Sequence, residues 1–333
     1  MTKGILERLA EGPIVGDGGY LLELEKRGYV QAGPFTPEVV IEHPEALEQL
    51  HREFARAGSD VLQALTFYAS EEKLATVGLE GTVDQINKDA AQIARHVAEE
   101  NGALVAGNLT TTWSYEPDDR SSQVRVREQF DRQLADQVSS GIDFVICETY
   151  SFLDEALIAT EAAKATGLPV MTTMSFMNEP KTEDGSSPSD CARALVDAGA
   201  QIVGVNCLRS PEHMLPLARE MREAVPDAYV AAQPVGYRTP AEKPDFTSLP
   251  QFPYGLDPLQ LTRGDFAEYA REALNLGINY IGACCGAVAE HVRAIAKVTG
   301  KSPSEEREWR SRTGRPMSGY EFWEHSERAP DGA

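Results

Sequence analysis

The sequence of 333 residues contains no apolar run near the roughly 20 residues that cross a bilayer. Its opening stretch, MTKGILERLAEG, has no apolar centre of the kind a secretory leader carries. Basic residues are few: 31 Lys and Arg face 52 Asp and Glu, a formal net charge of −21. Such a surface repels phosphate backbones and anionic lipid, so neither nucleic acid nor membrane is an expected partner. The five cysteines are an odd number without framework spacing, so structural disulfides are not expected. These absences together predict a cytoplasmic protein. A dinucleotide fingerprint is also missing, because GDGG at 16–19 lacks the GxGxxG spacing.

What is present is a repeat. Eight short apolar runs occur: PIVGDGG (13–19), VLQALTFY (61–68), ALVAGNL (103–109), FVICETY (144–150), PVMTTMSF (169–176), IVGVNC (202–207), YVAAQPV (229–235) and YIGACCG (280–286). None has a polar face, as expected for strands buried on both sides. Helical stripes lie between them. Leu47, Leu50, Phe54 and Ala57 follow Pro44 and precede Gly58. Ile86, Ala90, Ile93 and Val97 follow Thr82 and Gln85, which have capping-box spacing. Phe130, Leu134 and Val138 mark a third helix, and Met214, Leu217 and Met221 a sixth that contains Pro216. Eight alternations predict an α/β fold, a (β/α)₈ TIM barrel over residues 1–300. Long loops follow strand one (20–43) and strand seven (236–261). Residues 301–333 form a short C-terminal tail whose Trp309, Tyr320, Phe322 and Trp323 point to an oligomerisation segment, hence a homo-oligomer.

In such a barrel all strand C-termini open on one site. Those ends carry Asp17, Phe67, Tyr68, Asn108, Glu148, Ser175, Phe176, Cys207, Gln233, Cys284 and Cys285. They carry no His and no Lys, which argues against imidazole acid–base and Schiff-base chemistry. Cys207, Cys284 and Cys285 are the informative group. Strands six and eight flank one strand, so three thiols at their ends can share a metal ion. Zn²⁺ is the expected ion, and three ligands leave one position open. A substrate thiol entering there would lose its proton without a general base. Cys147 and Cys191 are read as structural. Phe35, Phe67, Tyr68, Tyr150 and Trp113 lie on or near the predicted mouth, and aromatic faces bind onium cations. Asp17 and Glu148 are placed to receive an ammonium, and Gly18 and Gly19 to offer N–H groups to a carboxylate.

GDGGYLLELEKRGYVQAGPFTPE, HPEALEQLHREFARAGSDVLQALTFYAS, IVGVNC, FPYGLDP and YIGACCG resemble the betaine–homocysteine methyltransferases of the zinc-dependent homocysteine S-methyltransferase family. The resemblance runs from residue 3 to about 300. It implies a (β/α)₈ barrel with zinc on Cys207, Cys284 and Cys285. Asp17, Gly18, Gly19 and Glu148 would hold the amino-acid end of L-homocysteine. Phe35, Phe67 and Tyr68 would line the pocket for glycine betaine, with methionine and dimethylglycine as products. Mammalian members carry Trp where Phe35 stands and Tyr where Thr149 stands. A sulfonium donor (dimethylsulfoniopropionate, dimethylthetin or S-methylmethionine) is the alternative. A non-catalytic zinc–thiolate sensor or storage barrel is the alternative of another class.

Overall fold

The computed structural model describes residues 3–301. The tail aromatics, and with them the expected oligomerisation segment, lie outside the described residues. The eight strands are β1 (Ile14–Val15), β2 (Val61–Gln63), β3 (Leu104–Thr110), β4 (Phe144–Tyr150), β5 (Val170–Met174), β6 (Ile202–Asn206), β7 (Tyr229–Gln233) and β8 (Tyr280–Ile281). All pair in parallel, in the order β1-β8-β7-β6-β5-β4-β3-β2. The helices, in chain order, are α1 (Ile5–Glu11), α2 (Leu21–Lys26), α3 (Val39–Glu42), α4 (Pro44–Ala57), α5 (Glu71–Ala75) and α6 (Val83–Asn101). They continue with α7 (Arg120–Ser139), α8 (Leu153–Ala165), α9 (Pro188–Ala198), α10 (Pro211–Ala224), α11 (Arg263–Asn275) and α12 (Ala289–Val298). This is the (β/α)₈ barrel that the alternation predicts.

The short helices explain where the simple repeat reading fell short. The stretch after β1 is not one loop, since α2 and α3 fold within it. The helix α1 was not anticipated. Its Ile5 and Leu9 join Ile14, Val61, Leu104, Phe144, Ile202 and Tyr280 in one buried cluster, so α1 packs against the inward side chains of the strands. A second, larger cluster fills the space between strands and outer helices. A third lies over the mouth: Leu22, Val235, Tyr237, Phe246 and Leu256, packed around Cys207.

Several helix details differ from the spacing argument. α4 begins at Pro44 and ends at Gly58 in the left-handed conformation, as expected. Thr82 does precede α6, but the capping box does not form. A 3₁₀ turn at Glu80–Thr82 brings the Leu79 carbonyl within reach, and the Thr82 hydroxyl donates to it at 2.7 Å instead. On α7 the buried stripe passes through Gln137, and Val138 faces solvent. The Gln137 amide is matched to the barrel backbone: it accepts from the Asn108 N–H (2.8 Å) and donates to the Asn108 carbonyl (2.9 Å). α10 runs through Pro216 without ending there.

The seam between β1 and β2 has no regular ladder, and two aspartates bridge it. The Asp60 N–H donates to the Val15 carbonyl (2.8 Å), and the Asp60 carboxylate accepts the Val15 N–H (2.8 Å). Nearer the mouth, the Gln63 N–H donates to the Asp17 carboxylate (2.8 Å). A strand-end carboxylate therefore closes the barrel where a neighbouring carbonyl would otherwise serve.

Candidate active site at the barrel mouth

β1 and β8 leave the sheet after two residues each, and the chain beyond them bends across the mouth. Glycine makes this approach possible. A Cβ on Gly19 would lie 2.7 Å from the Cys284 carbonyl oxygen, and one on Gly286 only 2.3 Å from the Tyr237 ring. Gly286 also has φ +77°, a region costly for other residues. The bend is held by Cys284 N–H to Pro234 O (2.8 Å), and by Gly236 N–H to Cys285 O (2.8 Å). Cys207 is presented from β6 by its own left-handed turn, φ +58°, with its N–H on Gln233 O (2.9 Å).

The three cysteines meet. Their sulfurs all lie within 4.8 Å of one another, and those of Cys207 and Cys285 are 3.6 Å apart. Two sulfurs bound at about 2.3 Å to one tetrahedral ion would be about 3.8 Å apart, so the spacing suits a shared metal. It is far beyond the roughly 2.05 Å of a disulfide. Cys207 ionises most readily of the three, because the Cys284 and Cys285 thiols hydrogen-bond to it. The hydrogen bonds they donate to Cys207, with burial and its charge, push the other two thiols up. Cys147 and Cys191 lie in the layer between strands and helices, and burial raises both thiols.

Asp17, Gly18, Gly19, Phe67, Glu148 and Gln233 line one small cavity with the three cysteines, about 60 Å³ of free space. That is room for about two waters. Glu148 sits at its floor. Gln63 Nε2 and Asn108 Nδ2 donate to Oε1 (2.6 and 2.7 Å), and Asn206 Nδ2 donates to Oε2 (3.1 Å). Burial pushes its carboxyl up to about 8, with Gln63 pulling the other way and the Cys207 and Asp17 charges adding to the rise. Asp17 is raised to about 6, again by burial, against hydrogen bonds from Tyr20 and Gln63. Two buried acids that resist ionisation in one cavity favour an incoming cation. The expected glycine role changes in one respect. The Gly19 N–H donates to Ala287 O (2.9 Å) and is not open to a ligand.

Among the described residues, six non-glycine residues have left-handed φ: Phe35, Tyr68, Trp113, Thr149, Cys207 and Leu208. All lie in or beyond the C-terminal ends of strands, on the face of the cysteines. Such strain costs about 1–3 kcal/mol per residue and clusters where function holds it. Phe35 packs against the apolar cluster over the mouth, with its ring centroid 6.0 Å from that of Phe252. Tyr68 stands between Phe67 and Trp113. The pair Tyr68 and Trp113 already holds a cation: the Lys73 ammonium lies 4.1 Å and 3.3 Å from the two ring centroids.

Tyr150 is not at the mouth. A register shift between Cys147 and Tyr150, with Thr149 at φ +64°, turns Tyr150 outward. It is fully buried against Phe130 of α7, and its hydroxyl has no partner. Strict alternation from Glu148 would place Tyr150 on the mouth face, since residues i and i+2 share a face, and it is the bulge at Thr149 that inverts it. Sequence reasoning missed Gln63, Asn206, Tyr20 and His51. The first two sit at inward strand positions, where an amide in an apolar run is a readable signal. Tyr20 and His51 carry no such mark.

The barrel mouth thus carries a three-thiol cluster able to hold a soft metal beside two buried carboxylates, and the comparisons with known proteins say which enzymes share the chain's sequence and fold. The profile for "Homocysteine S-methyltransferase" matches residues 14–299. The betaine–homocysteine S-methyltransferase 1 of Mus musculus is 48% identical over 307 residues, 89% of this chain and 74% of its own. The S-methylmethionine–homocysteine S-methyltransferase of Pongo abelii is 44% identical over 303 residues, 89% of this chain and 81% of its own. The metallated homocysteine methyltransferase of Escherichia coli shares the fold, with TM-score 0.70 at 19% identity, over 88% of this chain and 99% of that one. The chain belongs to the homocysteine S-methyltransferase family and is a methyl-transferring enzyme. That sets aside the non-catalytic sensor or storage barrel.

Proposed function

We propose that the chain transfers a methyl group from glycine betaine to L-homocysteine, with zinc held by Cys207, Cys284 and Cys285. The observation that carries this is the convergence of three thiols beside Asp17 and Glu148 in one cavity. Zn²⁺ in such a thiolate set supplies a Lewis acid at which an added thiol gives up its proton near neutral pH. The chain's own residues do the rest. Asp17 and Glu148 pair with the substrate ammonium and so orient its thiol toward the cysteines. The aromatic mouth, Phe35, Phe67 and Tyr68, takes the onium end of the donor by cation–π attraction. The cavity is small enough that a bound substrate would displace its water, which strengthens both interactions and removes a competing nucleophile.

In the reaction a homocysteine S–CH₃ bond forms and the betaine N–CH₃ bond breaks. The electron pair of the broken bond stays on nitrogen, giving dimethylglycine. The thiol proton would pass to solvent before transfer, so no side chain need act as general base. Betaine is the donor in the names of the relatives at 45–48% identity, and S-methylmethionine that in the name of a relative at 44%.

The test is methionine formation from homocysteine by zinc-replete protein, with betaine, dimethylsulfoniopropionate and S-methylmethionine in parallel. Betaine is expected to give the highest kcat/KM, and chelation to abolish turnover with every donor. A sulfonium compound surpassing betaine would change the donor. Inactivity with all of them would contradict the reading.

A further inference from the structure

Behind Asp17 lies a buried chain of three side chains from three parts of the fold. The Tyr20 hydroxyl donates to Asp17 Oδ2 at 2.5 Å, and the same oxygen accepts the Gln63 N–H at 2.8 Å. The Tyr20 oxygen is 3.0 Å from Nδ1 of His51, on α4. The Tyr20 ring is fixed edge-on against Phe54 and tilted against His51.

Counting protons assigns the roles. A hydroxyl has one hydrogen, and Asp17 takes it. The Tyr20 oxygen can then only accept, so His51 must carry its proton on Nδ1. His51 Nε2 is left as a lone pair, buried and without a partner. Burial also holds the imidazole neutral, its pKa lowered to about 3. An orphaned buried nitrogen is costly, and the fold keeps it while the other nitrogen serves Tyr20. On Asp17, the two donors from other residues both occupy Oδ2, and none of the side-chain hydrogen bonds from other described residues reaches Oδ1.

We propose that Tyr20, fixed by His51, is a positioning residue for Asp17: it locks the carboxylate rotamer and favours its charged form, so that Oδ1 receives the substrate ammonium. This rests on the reading of Asp17 as part of the homocysteine site. The groups facing Asp17 are Tyr20 from the segment after β1, His51 behind it on α4, Glu148 on β4 and Tyr280 on β8, with Cys207, Cys284 and Cys285 across the shared cavity. Glu148 and burial oppose the charge, while Tyr20 and the Gln63 N–H support it. Removing the Tyr20 hydroxyl therefore raises the Asp17 pKa. The carboxylate is then more often protonated at low pH and recovers as pH rises.

The experiment is homocysteine binding to zinc-loaded protein by titration calorimetry from pH 6 to 9, each variant expressed as a ratio to the unsubstituted protein. That ratio cancels the titration of homocysteine itself. Tyr20→Phe is expected to weaken binding about tenfold near neutral pH, the loss of one charge-assisted hydrogen bond. The deficit shrinks toward pH 9, and zinc content is unchanged. His51→Leu shifts binding in the same direction. The double variant is no worse than Tyr20→Phe, because His51 acts only through Tyr20. His51→Gln, which still offers an N–H, restores binding if His51→Leu folds poorly. A deficit that grows toward pH 9, additive losses, or no change in Tyr20→Phe would overturn the proposal. Asp17→Asn separates the two levels. If it binds homocysteine normally, the reading of Asp17 fails and this proposal with it. If it loses binding while Tyr20→Phe does not, only the proposal fails.

Discussion

At the scale of single residues, the site sets charge against burial. Glu148 accepts from three donors, the amides of Gln63, Asn108 and Asn206, and donors favour a carboxylate. Burial nevertheless raises it to about 8. A carboxyl poised between these forces gains most from an arriving ammonium. Tyr150 shows the opposite case, a polar atom the fold leaves idle. Its hydroxyl is buried without a partner between β4 and α7. Tyr150→Phe should therefore leave kcat/KM unchanged and keep or raise stability by up to about 1 kcal/mol. Thermal melting and the methionine assay check this. A large loss of activity would place Tyr150 in the site after all.

At the scale of elements, strand ends and their bends decide the chemistry. Apolar runs mark strands well, since burial on both faces leaves no other composition available. They mark strand ends poorly. PIVGDGG and YIGACCG read as strands of seven residues, yet only Ile14–Val15 and Tyr280–Ile281 remain in the ladder. The rest bends over the mouth, and Gly286 is the tightest point. Gly286→Ala would place a methyl 2.3 Å from the Tyr237 ring at φ +77°. The neighbouring Cys285 would have to move, so zinc content should fall severalfold, read by atomic absorption on purified protein, even where the barrel still folds. Full zinc content in that variant would show that the bend does not set the cysteine geometry. The β1–β2 seam was also not legible, because two aspartate side chains replace ladder bonds there. Asp17 is thus both a closure residue and a site residue, which spacing alone does not reveal.

At the scale of the molecule, the eightfold alternation makes the cysteines meaningful. Residues 207, 284 and 285 are far apart in sequence, and only a common barrel face brings them within 4.8 Å. The zinc-ligand candidates and both carboxylates were therefore legible once strands were counted. The Tyr20–His51 support was not, because a histidine on a helix stripe looks like any core residue until α4 is packed beside the segment that follows β1. The central claim is that three cysteines hold a zinc ion that takes up the homocysteine sulfur. Zinc K-edge X-ray absorption on the zinc-loaded protein, with and without homocysteine, tests it most directly. The account predicts three sulfur neighbours without substrate and four with it. Fewer than three sulfurs, or a count that homocysteine does not change, would contradict it.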